Sequence, residues 1–394
     1  MDAPKTIEQF TNLLRNWYER DFKGFRTGFD ATIANLAAPA CFDDDPVYMD
    51  WQGADIDRLC AFFEEWYSWN PDVTTGLDYI QKFSWLYYQN DAGADFVATG
   101  PGWAMTKYFV DLKGQWMDSD ASIPLVEKWM AELGDQMNDY IIPPGGYRSF
   151  NQFFIRELKP GQRPISGPTD SSLVVSPADA VVNMIDDNLT MSRKLPVKTQ
   201  RLDVPTLLDE SPLAREFEGG TALSCILMPD VYHRFHAPVG GRVVESNQDV
   251  IGDVSASLDK PHDVSEGCYF GIEDFPELLD GGDVGYGYDY SVFERFRRGY
   301  LIIKTDHYGY VAMIPVGLNT IASVVFHERF KRIGAEDLPQ AVSKGDEIGY
   351  FKYGGSLNIL LFQRGVFSSV RIPQGQGIGT MSPLDSDKKL RFPF

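Results

Sequence analysis

The chain has 394 residues, of which 43% are apolar and 13% aromatic, so it can bury a large core and form two or three domains. Its 36 Lys and Arg residues against 56 Asp and Glu residues give a formal charge of −20. Because a strongly acidic chain is repelled by phosphate-rich partners, we expect no nucleic-acid ligand and an unfavourable approach to anionic membranes.

The start of the sequence, MDAPKTIEQF, lacks the basic-then-apolar pattern of a secretory signal. The sequence also contains no apolar run of about 18 residues, the length expected of a membrane-spanning helix. We therefore expect a cytoplasmic protein. The four cysteines form no CxxC pair, which gives no indication of a metal or redox site.

Helical spacing predicts an all-helical N-terminal domain. Apolar residues recur at helical intervals from residue 6 to about 142, starting with a candidate capping box between Thr6 and Gln9. The same spacing follows Asp55 and again Ser122. A less periodic region contains three aromatic candidates for a pocket wall: Trp103, Tyr108 and Trp116.

A domain boundary is predicted in residues 142–146, where two prolines remove backbone donors and two glycines loosen the chain. We assign residues 1–144 to the helical domain and residues 145–394 to a β-rich domain, which makes the fold class α+β. Short β-branched and aromatic runs predict strands at 173–175, 222–228, 241–244, 300–304, 310–315, 320–325 and 357–362. The Gly- and Asp-rich residues 280–290 predict a long loop.

Gly354, Gly355 and Ser356 form the sharpest chemical signal. Two glycines before a serine leave the backbone free for the strained geometry that self-attack requires. The Ser356 hydroxyl could attack the Gly355 carbonyl, convert the amide to an ester and, after β-elimination and loss of ammonia, leave a pyruvoyl group. Alone the motif is weak, because Gly-Gly-Ser before a strand is usually only a turn.

Two histidines, His233 and His236, lie three residues apart between prolines. A hydroxyl nucleophile needs a base, and imidazole titrates near neutral pH, so these rings are candidates to take the proton of Ser356. The alternative is a structural or zinc-binding pair. No Cys-rich or HExxH partner accompanies them, so we predict no metal site.

Asp179 follows a proline turn within residues 176–179. Its carboxylate could orient and stabilise a histidine, as in a Ser-His-Asp arrangement. The alternative on local sequence is a turn aspartate that caps its own backbone.

Together these segments resemble the phosphatidylserine decarboxylase family, in one consistent order from Ser149 to Phe362. The matching segments are residues 153–165 for FFxRxLKPGxRP, 176–179 for SPAD, 219–221 for GGT, 232–236 for YHRxH and 354–356 for the cleavage site. Ala180 departs from the usual glycine, and Gly-Gly-Ser replaces the commoner Leu-Gly-Ser. More loosely, the N-terminal half resembles the helical domain of the soluble, tryptophan-decarboxylase-like branch.

The resemblance implies a zymogen that cleaves itself between Gly355 and Ser356. It implies that Asp179, His236 and Ser356 form the processing triad and that His233 binds the substrate or handles its proton. Residues 1–355 and 356–394 would stay associated, and the resemblance suggests a homodimer. The cofactor would be a covalent pyruvoyl group derived from Ser356, which forms a Schiff base with the substrate amine and accepts the electrons left by CO2.

Three hypotheses compete for the function. The first, favoured by the net charge and by the resemblance to the soluble branch, is a carboxy-lyase that decarboxylates a free L-amino acid, with aromatic ones as candidates. The second is decarboxylation of phosphatidylserine to phosphatidylethanolamine at a membrane surface, which an acidic chain approaches poorly. The third is a scaffold that never processes, and the joint presence of the four candidate site residues argues against it.

Overall fold

The computed structural model shows a helical part followed by a β-rich part, which is the predicted α+β arrangement. It describes residues 3–36, 49–73, 75–76, 78–87, 91–98, 100–191, 195–197, 200–250, 298–317, 323–353, 356–372 and 374–375. The helices described in the N-terminal part are α1 (Ile7–Glu19), α2 (Phe25–Ala34), α3 (Ile56–Ser68), α4 (Asp78–Tyr87), α5 (Asp91–Ala98), α6 (Gly100–Met117) and α7 (Ile123–Leu133).

Helix starts follow the capping signals in the sequence. Thr6 Oγ1 accepts a hydrogen bond from the backbone N–H of Gln9 at 3.1 Å. The Gln9 side chain accepts one from the backbone N–H of Lys5 at 2.9 Å, one residue further back than in a standard capping box. Asp55 caps α3 by accepting from the backbone N–H of Arg58 at 2.9 Å. These side chains satisfy donors that a helix start leaves free.

Aromatic rings fill the space between α1, α3 and α6. The ring centroid of Phe63 lies 5.2 Å from that of Phe10 and 4.8 Å from that of Phe109. Trp66 lies 4.7 Å from Phe109. All four side chains are buried. Since each large aromatic ring removes much apolar surface from water, this cluster stabilises the packing of the three helices.

Two sheets form most of the β-rich part. The large sheet contains β3 (Val181–Asp187), β6 (Thr221–Leu227), β8 (Gly241–Asn247), β9 (Tyr300–Lys304), β10 (Tyr310–Gly317), β12 (Arg332–Ile333), β13 (Gln340–Val342) and β15 (Ser356–Phe362). Its order is β12-β8-β9-β10-β15-β6-β3, and β13 also pairs with β8. The small sheet has the order β11-β14-β7, formed by β7 (Arg234–His236), β11 (Ser323–Phe326) and β14 (Glu347–Lys352).

Shorter elements complete the described part. They are β1 (Tyr140–Ile141), which pairs with β2 (Glu157–Leu158), the hairpin of β4 (Leu195–Val197) and β5 (Gln200–Leu202), and the short helices α8 (Phe150–Phe154) and α9 (Val204–Leu207).

The central strands of the large sheet pack against apolar clusters on both faces. On one face, Ile314 and Leu357 belong to the same apolar cluster as Trp129 of the helical part. On the other face, Leu360 belongs to a second cluster that contains Phe351 of the small sheet. The first cluster continues across residue 144, and the division of the chain into domains at that residue stays a prediction.

Most strand predictions are confirmed. Residues 222–228, 241–244, 300–304, 310–315 and 357–362 overlap described strands, and β11 covers the described end of 320–325. The strand at 173–175 is wrong, because this segment joins no described strand. The N–H groups of Leu173 and Val175 donate instead to the carbonyls of Asp170 at 3.2 Å and Pro238 at 3.0 Å. The loop predicted at 280–290 lies outside the described residues.

Among the described helices, the structure contains none with the length and apolar character required to cross a bilayer.

Candidate active site

Ser356 is the first residue of β15, which lies between β6 and β10 in the large sheet. It pairs with Leu227 of β6 and with Gly317 of β10, and it is only 2% exposed. Gly354 and Gly355 lie outside the described residues. The predicted cleavage point therefore directly precedes a buried strand that is paired on both sides.

The helical part holds the segment that leads to Ser356. The backbone N–H of Tyr353 donates to the side-chain oxygen of Asn151 at 3.1 Å, and the Tyr353 hydroxyl donates to the carbonyl of Gly76 at 2.6 Å. The Tyr353 ring packs 5.2 Å from Phe154 and 6.1 Å from Trp129. These contacts fix the chain three residues before Ser356.

His233 is completely buried beside the same segment. Its ring stacks on Phe154 with 3.8 Å between centroids, and Phe154 also contacts Tyr353. The backbone carbonyl of His233 accepts from the N–H of Phe351 at 2.9 Å. The structure thus brings His233 and the chain before Ser356 onto one aromatic ring.

The tautomer of His233 follows from its hydrogen bond. Nδ1 lies 2.9 Å from the carbonyl of Val231, and because a carbonyl only accepts, Nδ1 carries the hydrogen. Nε2 is buried and has no hydrogen-bond partner in the described part of the chain. Burial, with the nearby charge of Arg156, lowers the pKa of His233 to about 3. The ring is therefore neutral at physiological pH and presents a lone pair at Nε2.

Arg156 positions the turn that carries His233. Its Nη2 donates to the carbonyl of Asp230 at 2.6 Å and to that of Val231 at 3.1 Å, the carbonyl that also accepts from His233. Its guanidinium lies 4.2 Å from the ring centroid of Tyr140. The sequence motif contained Arg156, but nothing in the local sequence indicated this role.

His236 has both ring nitrogens engaged. Nδ1 donates to the carbonyl of Gly345 at 2.9 Å, which leaves Nε2 to accept from the Tyr232 hydroxyl at 2.9 Å. The backbone N–H of His236 donates to the carbonyl of Pro177 at 2.7 Å. The segment that carries Asp179 therefore lies directly beside β7, and His236 has the tautomer that a general base at Nε2 requires.

The carboxylate of Asp179 pairs with Arg163. Nε and Nη2 of Arg163 donate to it at 2.9 to 3.1 Å, while Nη1 donates to Asp139 at 3.0 Å. The hydrogen bond to Asp179 raises the pKa of Arg163. The structure brings the backbone of the Asp179 segment to His236 but joins no two of Asp179, His236 and Ser356 by a described side-chain hydrogen bond. The processing triad stays a prediction.

Within the described ranges, no three His, Cys, Asp or Glu side chains group closely enough to hold a metal ion.

A family model described as phosphatidylserine decarboxylase matches residues 150–380, more than half of the chain. The chain belongs to this family. It is 29% identical over 258 residues to a phosphatidylserine decarboxylase proenzyme of Fusobacterium nucleatum, covering 66% of this chain and 74% of that protein. It is 26% identical over 281 residues to a proenzyme of the same name from Clostridium tetani, covering 71% of this chain and 81% of that protein.

A third relative is phosphatidylserine decarboxylase proenzyme 3 of Schizosaccharomyces pombe, which is 30% identical over 258 residues, or 65% of this chain and 23% of that protein. The predicted family is confirmed. The chain is a pyruvoyl-dependent, self-processing carboxy-lyase, and its covalent pyruvoyl group arises from a serine of the chain itself. The looser resemblance of the N-terminal half to the tryptophan-decarboxylase-like branch stays a prediction.

The residues around Ser356 fit such a group. From Ser356 to Phe362, every residue of β15 pairs with both β6 and β10. A chain that begins at residue 356 would keep all of these backbone pairs after cleavage. His233 Nε2 is buried without a described partner, and its ring stacks on Phe154, which also contacts Tyr353 three residues before the new chain end.

The neutrality of His233 predicts a pH-dependent contribution to stability. In the unfolded chain His233 protonates near pH 6.5, whereas in the folded chain its pKa is about 3. The unfolded state therefore binds more protons between these values, so His233 destabilises the fold as pH falls through this window. We expect the free energy of unfolding to fall more steeply with decreasing pH in the protein that has His233 than in the His233→Gln variant. The two slopes should differ by about 1.4 kcal/mol per pH unit.

Urea denaturation from about pH 6 to about pH 4.5 measures this difference. Both proteins carry Ser356→Ala, so that each sample is intended to be one intact chain. Parallel curves for the two proteins would contradict the buried, neutral state of His233.

Proposed function

We propose that this enzyme decarboxylates phosphatidylserine to phosphatidylethanolamine. The observation that carries the proposal is the match to the phosphatidylserine decarboxylase family together with relatives from three organisms that all bear that name. These comparisons do not support a free amino acid, the substrate that the sequence favoured. They favour the alternative that the net charge had placed second.

The net charge is a weak argument against a lipid substrate. A total charge of −20 acts at long range, but salt screens exposed charges beyond roughly 10 Å at about 0.1 M ionic strength. Contact with a lipid surface depends instead on the groups that surround the site. A global repulsion therefore says little about recognition of one headgroup.

Exposed apolar side chains beside the site support a lipid substrate. Ile165 is 37% exposed and lies against Gly345, whose carbonyl accepts from His236. Leu173 is 36% exposed, and its carbonyl accepts from Lys344 at 2.9 Å. Exposed apolar groups of this kind gain free energy from contact with acyl chains.

In self-processing, Ser356 Oγ attacks the Gly355 carbonyl while Nε2 of His236 takes the hydroxyl proton. The hydrogen bond from Nδ1 of His236 to Gly345 maintains the required tautomer. Asp179, which accepts hydrogen bonds from Arg163, stabilises the imidazolium that results. Tyr232 gives up its hydrogen bond to Nε2 as the proton arrives.

In turnover, the pyruvoyl group would supply an electron-withdrawing carbonyl that binds the substrate amine and takes up the electron pair that CO2 leaves behind. His233 serves the proton transfer that completes the product. Its pKa of about 3 reflects burial and the nearby charge of Arg156. An anionic substrate beside the ring would raise that pKa, so the ring becomes a competent proton carrier when substrate is bound.

Two matched carboxylates test the role of Asp179, because Asp179 and Asp139 bind the same guanidinium. We expect Asp179→Asn to slow self-cleavage at least about tenfold, since the variant loses the charge that stabilises the imidazolium. Asp139→Asn keeps that charge and should process like the wild type. Denaturing gels over time after synthesis measure the uncut fraction, and equal rates for the two variants would remove Asp179 from the mechanism.

The substrate is tested with purified, processed enzyme. We expect release of CO2 from phosphatidylserine in mixed vesicles with phosphatidylcholine, and formation of phosphatidylethanolamine in equal amount. Free L-serine and free aromatic amino acids should give no product at the same concentration. Turnover of a free amino acid, with none of the lipid, would overturn the proposal while leaving the decarboxylase assignment intact.

A further inference from the structure

Asn358 is a buried polar side chain for which the described residues supply no hydrogen-bond partner. It is the third residue of β15 and is 0% exposed. In the described part of the chain, neither Oδ1 nor Nδ2 has a hydrogen-bond partner. Because an amide without partners is unfavourable in an apolar interior, buried carboxamides normally satisfy both ends. Asn358 therefore needs an explanation beyond the packing of the sheet.

The residues next to Asn358 in the sheet have side chains that are apolar or only weak hydrogen-bonding groups. Cys225 of β6 and Pro315 of β10 lie directly opposite it, and Leu360 follows on the same face of β15. The Cys225 thiol is buried, and burial raises its pKa to about 12, so it is a neutral and weak hydrogen-bonding group. A side chain such as leucine would suit these surroundings better.

Asn358 lies on the same face of the strand as residue 356. Side chains alternate along a strand, so those of residues 356 and 358 share one face, roughly 7 Å apart along the chain. Leu360, on that face, packs in the same apolar cluster as Phe351. The backbone N–H of Phe351 donates to the carbonyl of His233. The ring nitrogen Nε2 of His233 also lacks a described partner. His233 and Asn358 are thus two buried polar groups without a described partner in the segments around residue 356.

We propose that the carboxamide of Asn358 binds the carboxylate of the substrate, with Nδ2–H as the donor. The proposal rests on the proposed function, in which the substrate amine reacts at residue 356. The carboxylate is attached to the same carbon as that amine and must lie within a few bonds of residue 356. The Asn358 amide is on the correct face and has unused donors.

A neutral amide suits this task better than a cation. A buried Lys or Arg would stabilise the carboxylate most strongly before reaction and would oppose the loss of its charge as CO2 departs. An amide donor orients the carboxylate but compensates its charge only weakly. The apolar side chains around Asn358 then favour neutral CO2 over the charged carboxylate.

Asn358→Leu is the decisive variant, because leucine has nearly the shape of asparagine without its donors. We expect complete self-cleavage and an unchanged or raised thermal midpoint, since an unsatisfied amide has been removed. The KM for phosphatidylserine vesicles should rise about tenfold. Inhibition by phosphatidylethanolamine, which lacks the carboxylate, should be unchanged. Asn358→Ala provides a second variant, with the same expected change in KM, should leucine prevent folding.

Ser246→Ala is the matched control. Ser246 is a buried polar residue of β8 in the same sheet, but its hydroxyl has a partner, the carbonyl of Phe330 at 2.7 Å. Its loss should lower the thermal midpoint and leave KM unchanged. The control therefore shows how a purely structural polar group behaves in the same assays.

The inference is overturned if Asn358→Leu loses stability as Ser246→Ala does, fails to cleave, keeps the wild-type KM, or weakens phosphatidylethanolamine inhibition equally. Wild-type enzyme in the same assay tests the proposed function separately. If the wild type consumes a free amino acid instead of the lipid, the lipid proposal fails. The Asn358 comparison is then made with that amino acid and its decarboxylated amine, which again differ in the carboxylate.

Discussion

Pairing of β15 on both sides is the constraint on which the site depends. Ser356 begins a strand that forms backbone ladders with β6 and β10 and whose two faces pack into separate apolar clusters. A new chain end at this position stays in the sheet, because unpairing the strand would expose the backbone groups of two ladders and both apolar faces to water. Self-cleavage can thus produce a fixed reactive end without a separate binding step for a cofactor.

The segment from α8 to Arg156 positions the other groups of the site. Asn151 and Phe154, from the short helix α8, hold Tyr353 and His233, while Arg156 binds the main-chain carbonyls before His233. These residues come from one short stretch of sequence, so a single segment positions both the chain before Ser356 and the buried imidazole. Burial then keeps that imidazole neutral, with one nitrogen available.

The sequence predicted the elements whose signals are local. The capping residue Thr6, the helical spacing after Asp55 and the apolar run after Ser356 identified helices and a strand that the structure contains. The region of Trp103 and Trp116 looked aperiodic because α6 is buried on most of its sides, so it has no polar face to set a pattern. Residues 173–175 had strand-like composition, but they stay at the surface and join no described strand.

Residues close to the site were predictable only as types. Histidine, serine and aspartate suggested acid–base and nucleophilic chemistry, yet the partners of the rings are the Gly345 and Val231 carbonyls and the Tyr232 hydroxyl. Because every residue has a backbone carbonyl, residue types do not show which carbonyls accept these hydrogen bonds. The pairing of Asp179 with Arg163 likewise depends on tertiary contacts between turns. The sequence does not indicate a functional role for Asn358, because an asparagine within an apolar strand is not unusual until its burial is known.

Intact-mass analysis of the purified protein tests the central claim, that residue 356 becomes the reactive chain end. The account predicts two chains, residues 1–355 and residues 356–394, with the shorter one lighter than a normal serine-ended peptide by the mass of one ammonia. Ser356→Ala should give one uncut chain of 394 residues. Cleavage at another bond, or two chains from the alanine variant, would contradict the account.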